Sequence, residues 1–520
     1  MVLQQSMESW HIAERQLAAR DMDGARVTFQ RLIADQVFRP MAHLRLSQIA
    51  SSQGRYRDAV EQAVSAFKER QSDAGLLAML AKQLAMLGET EFAVACATDP
   101  AILESTETAM LMDIGNLLAS TSFPGQALAL LDRARSLGLD SATLSYLVGL
   151  NCMYSGDPVR ARLELERSIR VKPDMGVALW ALSKLESGPA TQADWVTRLR
   201  TAIDMKEQAA ADMPLLQYAL FRALDGRGEI DAAWRALSDG MQSRRKQLRY
   251  DTKQDQALFD HLAGLDPQRT RGRVFEGPQP IFIVGMPRSG TTLLERILGN
   301  HPDVQDTGEL YDFIWQMRWM CDAGGGSYLD LKLAQMAESI DFEELGRRYL
   351  AHTQWRAQGA EFYVDKMPAN FLNVSYIARA FPQARILHMV RGSMDTCFSN
   401  LKECFASAYP HSYDQIEMAD HYRRYHALMS HWREMFPDLV LDVHYADLVT
   451  EPERVVLEVT KFCGLPWHEG LSAIENRTDS VTTASAMQVR EPVHDRFLQQ
   501  WRRYESYLEP LRERLGALAC

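Results

Sequence analysis

Along the first 170 residues a small apolar position recurs at a constant interval of 34: Ala25, Ala59, Ala93, Ala127 and Ala161. Gly54, Gly88 and Gly156 each stand five residues before one of these alanines, and Ala66 and Ala134 follow theirs by seven, at the next inward position of the same helix. This spacing predicts pairs of short antiparallel helices, with glycine at the turn and alanine where the second helix lies close against the first. Pro173 ends the fifth unit, where a helix cannot continue. Later units are irregular: Ala193 comes early, and Gly228 with Ala233 restores the pattern. From about residue 275 the pattern changes to short apolar, partly β-branched runs, IFIV (281–284), FYV (362–364), ARILHMV (384–390) and LVLDVHY (439–445), separated by helical stretches. Such alternation predicts a parallel sheet wrapped by helices, with ligands at the carboxyl ends of the strands.

The fold expected is therefore multidomain: an all-α solenoid over 1–260, with the 34-residue period of tetratricopeptide repeats, and an α/β domain over 275–520. The boundary falls near 265–278, in charged and aperiodic text. At 520 residues, with 46% hydrophobic and 24% charged positions, the chain has the composition of an ordinary multidomain globular protein. A net charge of -11 argues against general affinity for nucleic acid or anionic membranes, so any anion site must be built locally. The basic run Arg244, Arg245, Lys246 reads as the solvated face of a terminal helix. Seven scattered cysteines without a C-x-x-C encode neither a disulfide framework nor a zinc site. His421, His426 and His431, five apart, rotate about 140° from one to the next on a helix and cannot share a face. No apolar run of about 18 residues occurs, and the expectation is a cytoplasmic protein without a membrane partner.

Directly after the first strand run, Gly285, four residues, Gly290 and Thr291-Thr292 keep the spacing of a phosphate-binding P-loop, with threonine where lysine should stand. A strand-to-helix turn of this kind presents backbone N–H groups and a helix N-terminus to an anion. Arg288 adds a fixed charge and Ser289, Thr291 and Thr292 add hydroxyl donors. The missing lysine is informative, because a nucleoside triphosphatase uses it at the β- and γ-phosphates, where negative charge is greatest.

Here the chain resembles the sulfotransferases that use 3'-phosphoadenosine 5'-phosphosulfate (PAPS), whose 5'-phosphosulfate loop is a modified P-loop. "ARILHMVRGSMDTCFSNLKECF" places Arg391 at a strand end and Ser399 eight residues later, the spacing with which that family holds the donor's 3'-phosphate. Within the family the stretch "PRSGTTLLERILGNHPDV" is similar to the tyrosylprotein sulfotransferases and their bacterial relatives, as is "VHYADLVTEPERVVLEVTKFCGLP". The resemblance implies Glu309 as general base and Lys366, in "FYVDKMPANF", at the oxygen that bridges phosphate and sulfate. It also implies Arg288 and the loop residues Ser289, Gly290, Thr291 and Thr292 around the phosphosulfate. "TTASAMQVREPV" looks like the segment that closes over the nucleotide, with Ser485 and Arg490 as contacts. There the loop is shorter than in the animal enzymes, and arginine stands where they have lysine. Tyr445, ending the fourth strand run, is a candidate beside the adenosine or else a core tyrosine.

A carboxylate base suits a phenol, whose pKa near 10 makes it easier to deprotonate than an alkyl alcohol. The function expected is sulfuryl transfer from PAPS to an acceptor hydroxyl, protein tyrosine first, with a saccharide or small phenol as the alternative and no metal required. The repeat array reads equally as a groove for an acceptor peptide or protein and as a spacer or dimerisation arm giving a homodimer. A nucleotide kinase is disfavoured by Thr291 in the lysine position. A non-catalytic scaffold is disfavoured by the joint presence of Glu309, Lys366, Arg288 and Arg391.

Overall fold

The computed structural model describes every residue except Met1, 186–188, 207–209, 266–274, 406–407, 478, 484–487 and Cys520. The 34-residue period is built as helix pairs: Arg39–Ser52 with Tyr56–Lys68, Ala74–Met86 with Thr90–Ala97, Thr108–Ser120 with Pro124–Ser136, and Ala142–Tyr154 with Pro158–Val171. Ala25, Ala59, Ala93, Ala127 and Ala161 are all fully buried on second helices. The closeness they permit is measurable at Gly149, where an added Cβ would lie 2.8 Å from Leu165 Cγ. Between the helices of three of these pairs the chain passes through the left-handed region at Gly54, Gly88 and Gly156, as the pattern requires. At the corresponding positions of two other units the same conformation is held by Arg20 (φ 62°) and Ser122 (φ 71°). Backbone geometry is thus preserved where glycine is not.

The chain gathers into two compact units that cut across the boundary expected at 265–278. One unit combines Met1–Leu139 with Tyr311–Thr353, and the other combines Asp140–Leu310 with Gln354–Cys520. Within the first, the Trp315 ring stacks on Tyr56 (centroids 6.1 Å apart), and Arg57 donates to the carbonyl of Met320 (3.1 Å). Within the second, helices from the later repeats pack on the α/β elements. Tyr218 Oη donates to the carbonyl of Leu401 (3.0 Å), Lys184 pairs with Glu403 (2.8 Å), and Tyr504 Oη donates to Asp225 (2.7 Å). Composition marks a change of architecture near 265, whereas packing groups residues by what their apolar faces touch.

The sheet has five parallel strands: β1 (Gln279–Gly285), β2 (Val304–Asp306), β3 (Phe362–Asp365), β4 (Arg385–Val390) and β5 (Val440–His444), in the order β2-β3-β1-β4-β5. Four strands follow the apolar runs. The fifth, β2, is a three-residue edge strand too short and too polar to read from pattern. Ile281, Ile283, Leu294, Leu298, Leu387, Met389 and Val459 form part of the core cluster between sheet and helices. Each such side chain contributes about 1.5–3 kcal/mol through burial. β1 is central, with β3 on one side and β4 on the other, so the chain order reverses at its carboxyl end. A ligand crevice belongs there. The chain ends in a 3-10 segment, Gln500–Tyr507, and a short helix, Glu509–Leu515, and Tyr504 packs against Phe398 and Phe221. Among the described residues no helix is long and apolar enough to cross a membrane.

Candidate active site

At the end of β1 the chain turns through Gly285 (φ 148°), Arg288 (φ 66°) and Gly290 (φ 112°) into the helix Thr291–Leu298. Two of these positions explain their glycines. A Cβ on Gly285 would sit 2.8 Å from the carbonyl oxygen of Met389, and one on Gly290 would sit 2.5 Å from the ring of Tyr445. Loop carbonyls are drawn outward: Asn400 Nδ2 donates to the carbonyl of Pro287 (2.8 Å), and Arg391 Nη1 donates to that of Arg288 (3.1 Å). The first N–H groups of the helix have no intrahelical acceptor and are left for a ligand. Ser289 is 1% exposed and its Oγ has no hydrogen-bond partner among the described residues, while Thr291 and Thr292 are buried beside it. A buried orphan hydroxyl inside a cradle of N–H groups fits an anion.

On the far side of β1, Lys366 follows β3 and Glu309 follows β2. Lys366 is fully buried and its Nζ donates to Glu309 Oε1 at 2.6 Å. The β2–β3 pairing aligns these two loops, and Lys366 N–H donates to the carbonyl of Gly308 (3.0 Å). A third ionisable group joins them. Glu295, on the loop helix, accepts from the N–H of Gly308 (2.8 Å) and lies 3.9 Å from Lys366 Nζ. Burial pushes the Glu295 carboxyl up to about 7, helped by Asp306 and Glu309 and opposed by Lys366. Burial alone would lower Lys366, but the carboxylates of Glu309 and Glu295 outweigh it and hold the ammonium above its ordinary value. Lys366 is therefore a retained buried cation between two acids. Glu295 and Asn400 are the site residues that motif reading missed. Glu295 did carry a signal, a carboxylate four residues after Thr291 on the same helical face.

Arg391 stands one residue beyond β4. Its Nη2 donates to the carbonyl of Phe497, its Nε has no partner among the described residues, and its guanidinium lies 4.8 Å over the ring of Tyr445. Ser399 is buried on the helix Ser393–Leu401, which Asn400 ties to the loop. The structure thus gathers Arg288, Ser289, Gly290, Thr291, Thr292, Arg391 and Tyr445 at the end of β1 and β4, and Glu309 with Lys366 at the end of β2 and β3. Tyr445 is a packed tyrosine whose ring backs the glycine of the loop. Arg490 spends Nη2 on the carbonyls of Tyr154 (2.9 Å) and Asp479 (3.1 Å). Ser485 lies outside the described residues. His301, Asp303 and His468 cluster closely enough to suggest a metal. Both His301 ring nitrogens are committed, however: Nδ1 accepts from Asp303 N–H (3.1 Å) and Nε2 donates to the carbonyl of Pro466 (2.9 Å).

The site thus sets a buried cation between carboxylates beside a strand-to-helix anion loop that lacks the P-loop lysine. Comparison with known proteins shows what the chain is similar to. Residues 280–469 match the model of the sulfotransferase family. An uncharacterized protein of Aquifex aeolicus is 30% identical over 309 residues, 57% of this chain and 40% of its own length. Protein-tyrosine sulfotransferase 1 of Danio rerio is 25% identical over 264 residues, covering 45% of this chain and 71% of the fish protein. The Drosophila melanogaster protein-tyrosine sulfotransferase is 28% identical over 232 residues, 42% of this chain and 46% of its own length. This chain therefore spans less than half of the Aquifex and Drosophila proteins. Among solved structures, the sulfotransferase domain of the Synechococcus PCC 7002 olefin synthase matches at 20% identity and TM-score 0.32, over 45% of this chain and 91% of that one.

Proposed function

We propose that the protein transfers the sulfuryl group of PAPS to a tyrosine hydroxyl of a peptide or protein. The observation that carries this reading is the Lys366–Glu309 pair at 2.6 Å, set beside an anion loop whose buried Ser289 hydroxyl has no partner among the described residues. In this reading the N–H groups of the loop and Ser289 hold the phosphosulfate, while Arg288 balances its charge. Arg391 and Ser399 hold the 3'-phosphate. Glu309 accepts the proton of the attacking hydroxyl as the new S–O bond forms. The bond from sulfur to the bridging oxygen breaks, its electron pair leaves on 3'-phosphoadenosine 5'-phosphate (PAP), and the Lys366 ammonium neutralises the charge that develops there. No metal enters these steps. The reading extends to a cytoplasmic enzyme, in keeping with the absence of a membrane-crossing helix among the described residues, and to a repeat array that holds the acceptor chain.

The test is transfer of radiolabelled sulfate from PAPS into a lysate of the source organism, by wild type and Glu309→Ala, with protein and small molecules separated. Label in protein that falls at least a hundredfold with Glu309→Ala supports the reading. Label confined to glycan or small phenols would reassign the acceptor and leave the array as an assembly device. A folded wild type that neither transfers label nor binds PAP would overturn the donor.

A further inference from the structure

Glu295 is not needed by the steps above, yet its position is costly and specific. A carboxylate at 4% exposure, on a helix that also buries Leu294, Ile297 and Leu298, is retained only with good partners. Its partners are the two moving parts of the proposed chemistry. One oxygen accepts the N–H of Gly308, which immediately precedes the base Glu309, and the other faces the Nζ of Lys366. Resting on that reading of the site, we propose that Glu295 is a positioning residue for sulfuryl transfer: it fixes the Gly308–Glu309 turn and shares Lys366 with Glu309, so that the ammonium is not bound wholly to the base.

The consequence depends on charge. With Glu295 ionised, Lys366 lies between two carboxylates, and its ammonium can turn from Glu309 to the leaving oxygen. With Glu295 protonated, Lys366 pairs with Glu309 alone and is held on the base instead of the leaving oxygen. The groups that face Glu295 are Lys366 beyond β3, Asp306 on β2 and Glu309 beyond β2, and burial among them brings its carboxyl to about 7. The wild-type rate is therefore expected to rise with pH through neutrality. Lys402, whose ammonium burial pushes down to about 7, titrates in the same window, so the informative quantity is the ratio of wild type to variant at each pH.

The experiment compares the full-length wild type with Glu295→Gln and Glu295→Asp, from pH 5.5 to 8.5, using PAPS and a tyrosine peptide labelled in the lysate assay. PAP affinity is measured by calorimetry on the same preparations. Glutamine keeps an oxygen for the Gly308 N–H and cannot ionise. The expected kcat of Glu295→Gln is tenfold or more below wild type at pH 8.5 and within twofold at pH 5.5, with PAP affinity within threefold throughout. Glu295→Asp restores the rising limb. A Glu295→Gln enzyme equal to wild type at pH 8.5, or reduced by one constant factor at every pH, overturns the inference while leaving sulfuryl transfer in place. If Glu295→Gln does not fold, Glu295→Asp decides alone, and loss of its rising limb overturns the inference. A wild type that binds PAP and PAPS to no measurable extent overturns the underlying reading instead.

Discussion

At the scale of single residues, the site depends on a few positions that admit one side chain. Gly290 combines a left-handed backbone with a Cβ direction filled by the Tyr445 ring, so Gly290→Ala must strain the loop and displace the ring together. We expect it to cost about 1–3 kcal/mol of stability and to weaken PAP binding at least tenfold, read by urea unfolding and calorimetry. Asp255 is a different case, away from the loop. It accepts from Tyr250 Oη (3.0 Å) and Arg424 Nη1 (2.7 Å) and pairs with His421 (3.2 Å). Burial would raise its carboxyl, but hydrogen bonds and the charges of His421 and His411 hold it well below the usual range. A depressed folded-state value means the stabilisation is present above the unfolded pKa of about 3.9 and is lost as pH falls toward the folded value. Asp255→Ala is expected to cost about 3–5 kcal/mol at pH 7 by stranding buried partners. Asp255→Asn should flatten the loss of stability that wild type shows below pH 4, measured by denaturant midpoints across pH.

At the scale of elements, the helix pairs and the loop helix show how far a local rule carries. The 34-residue interval was legible because the contact between paired helices admits only small side chains, and that restriction repeats. The turn conformation was only partly legible, since Arg20 and Ser122 adopt what glycine adopts elsewhere. A left-handed conformation costs a residue with a Cβ about 1–2 kcal/mol, offset in part by the greater unfolded-chain entropy of glycine. Arg20 is exposed, so Arg20→Gly should stabilise its helix pair by about 0.5–1 kcal/mol, visible as a higher urea midpoint with unchanged slope. The strands repeat the lesson. Four apolar runs announced themselves, whereas β2 is held by its pairing to β3 and has too few residues to show a period.

At the scale of the whole molecule, the grouping of residues 140–263 with the sheet has a practical consequence. The region that matches the sulfotransferase family, 280–469, looks separable with the C-terminal segment after it, but Leu401, Glu403 and Tyr504 are partnered by Tyr218, Lys184 and Asp225. A fragment of residues 275–520 would expose the apolar faces and leave the Leu401 carbonyl and the Glu403 carboxylate without their partners. We expect it to be aggregated or molten by size-exclusion chromatography and near-UV circular dichroism, and a compact fragment that binds PAP as the full chain does would refute this.

The sequence by itself determined the repeat period, the α/β alternation, the modified anion loop and the family that loop resembles. Each of these is written in spacing along the chain, where a period of 34, an alternation of strand and helix or a glycine pair survives without knowledge of distant neighbours. Tertiary structure alone decided that Glu295 shares Lys366 with Glu309, that Asn400 and Arg391 turn the loop carbonyls outward, and that Tyr445 makes Gly290 obligatory. Those contacts join residues from 57 to 155 positions apart, brought together by strand order rather than by any local pattern.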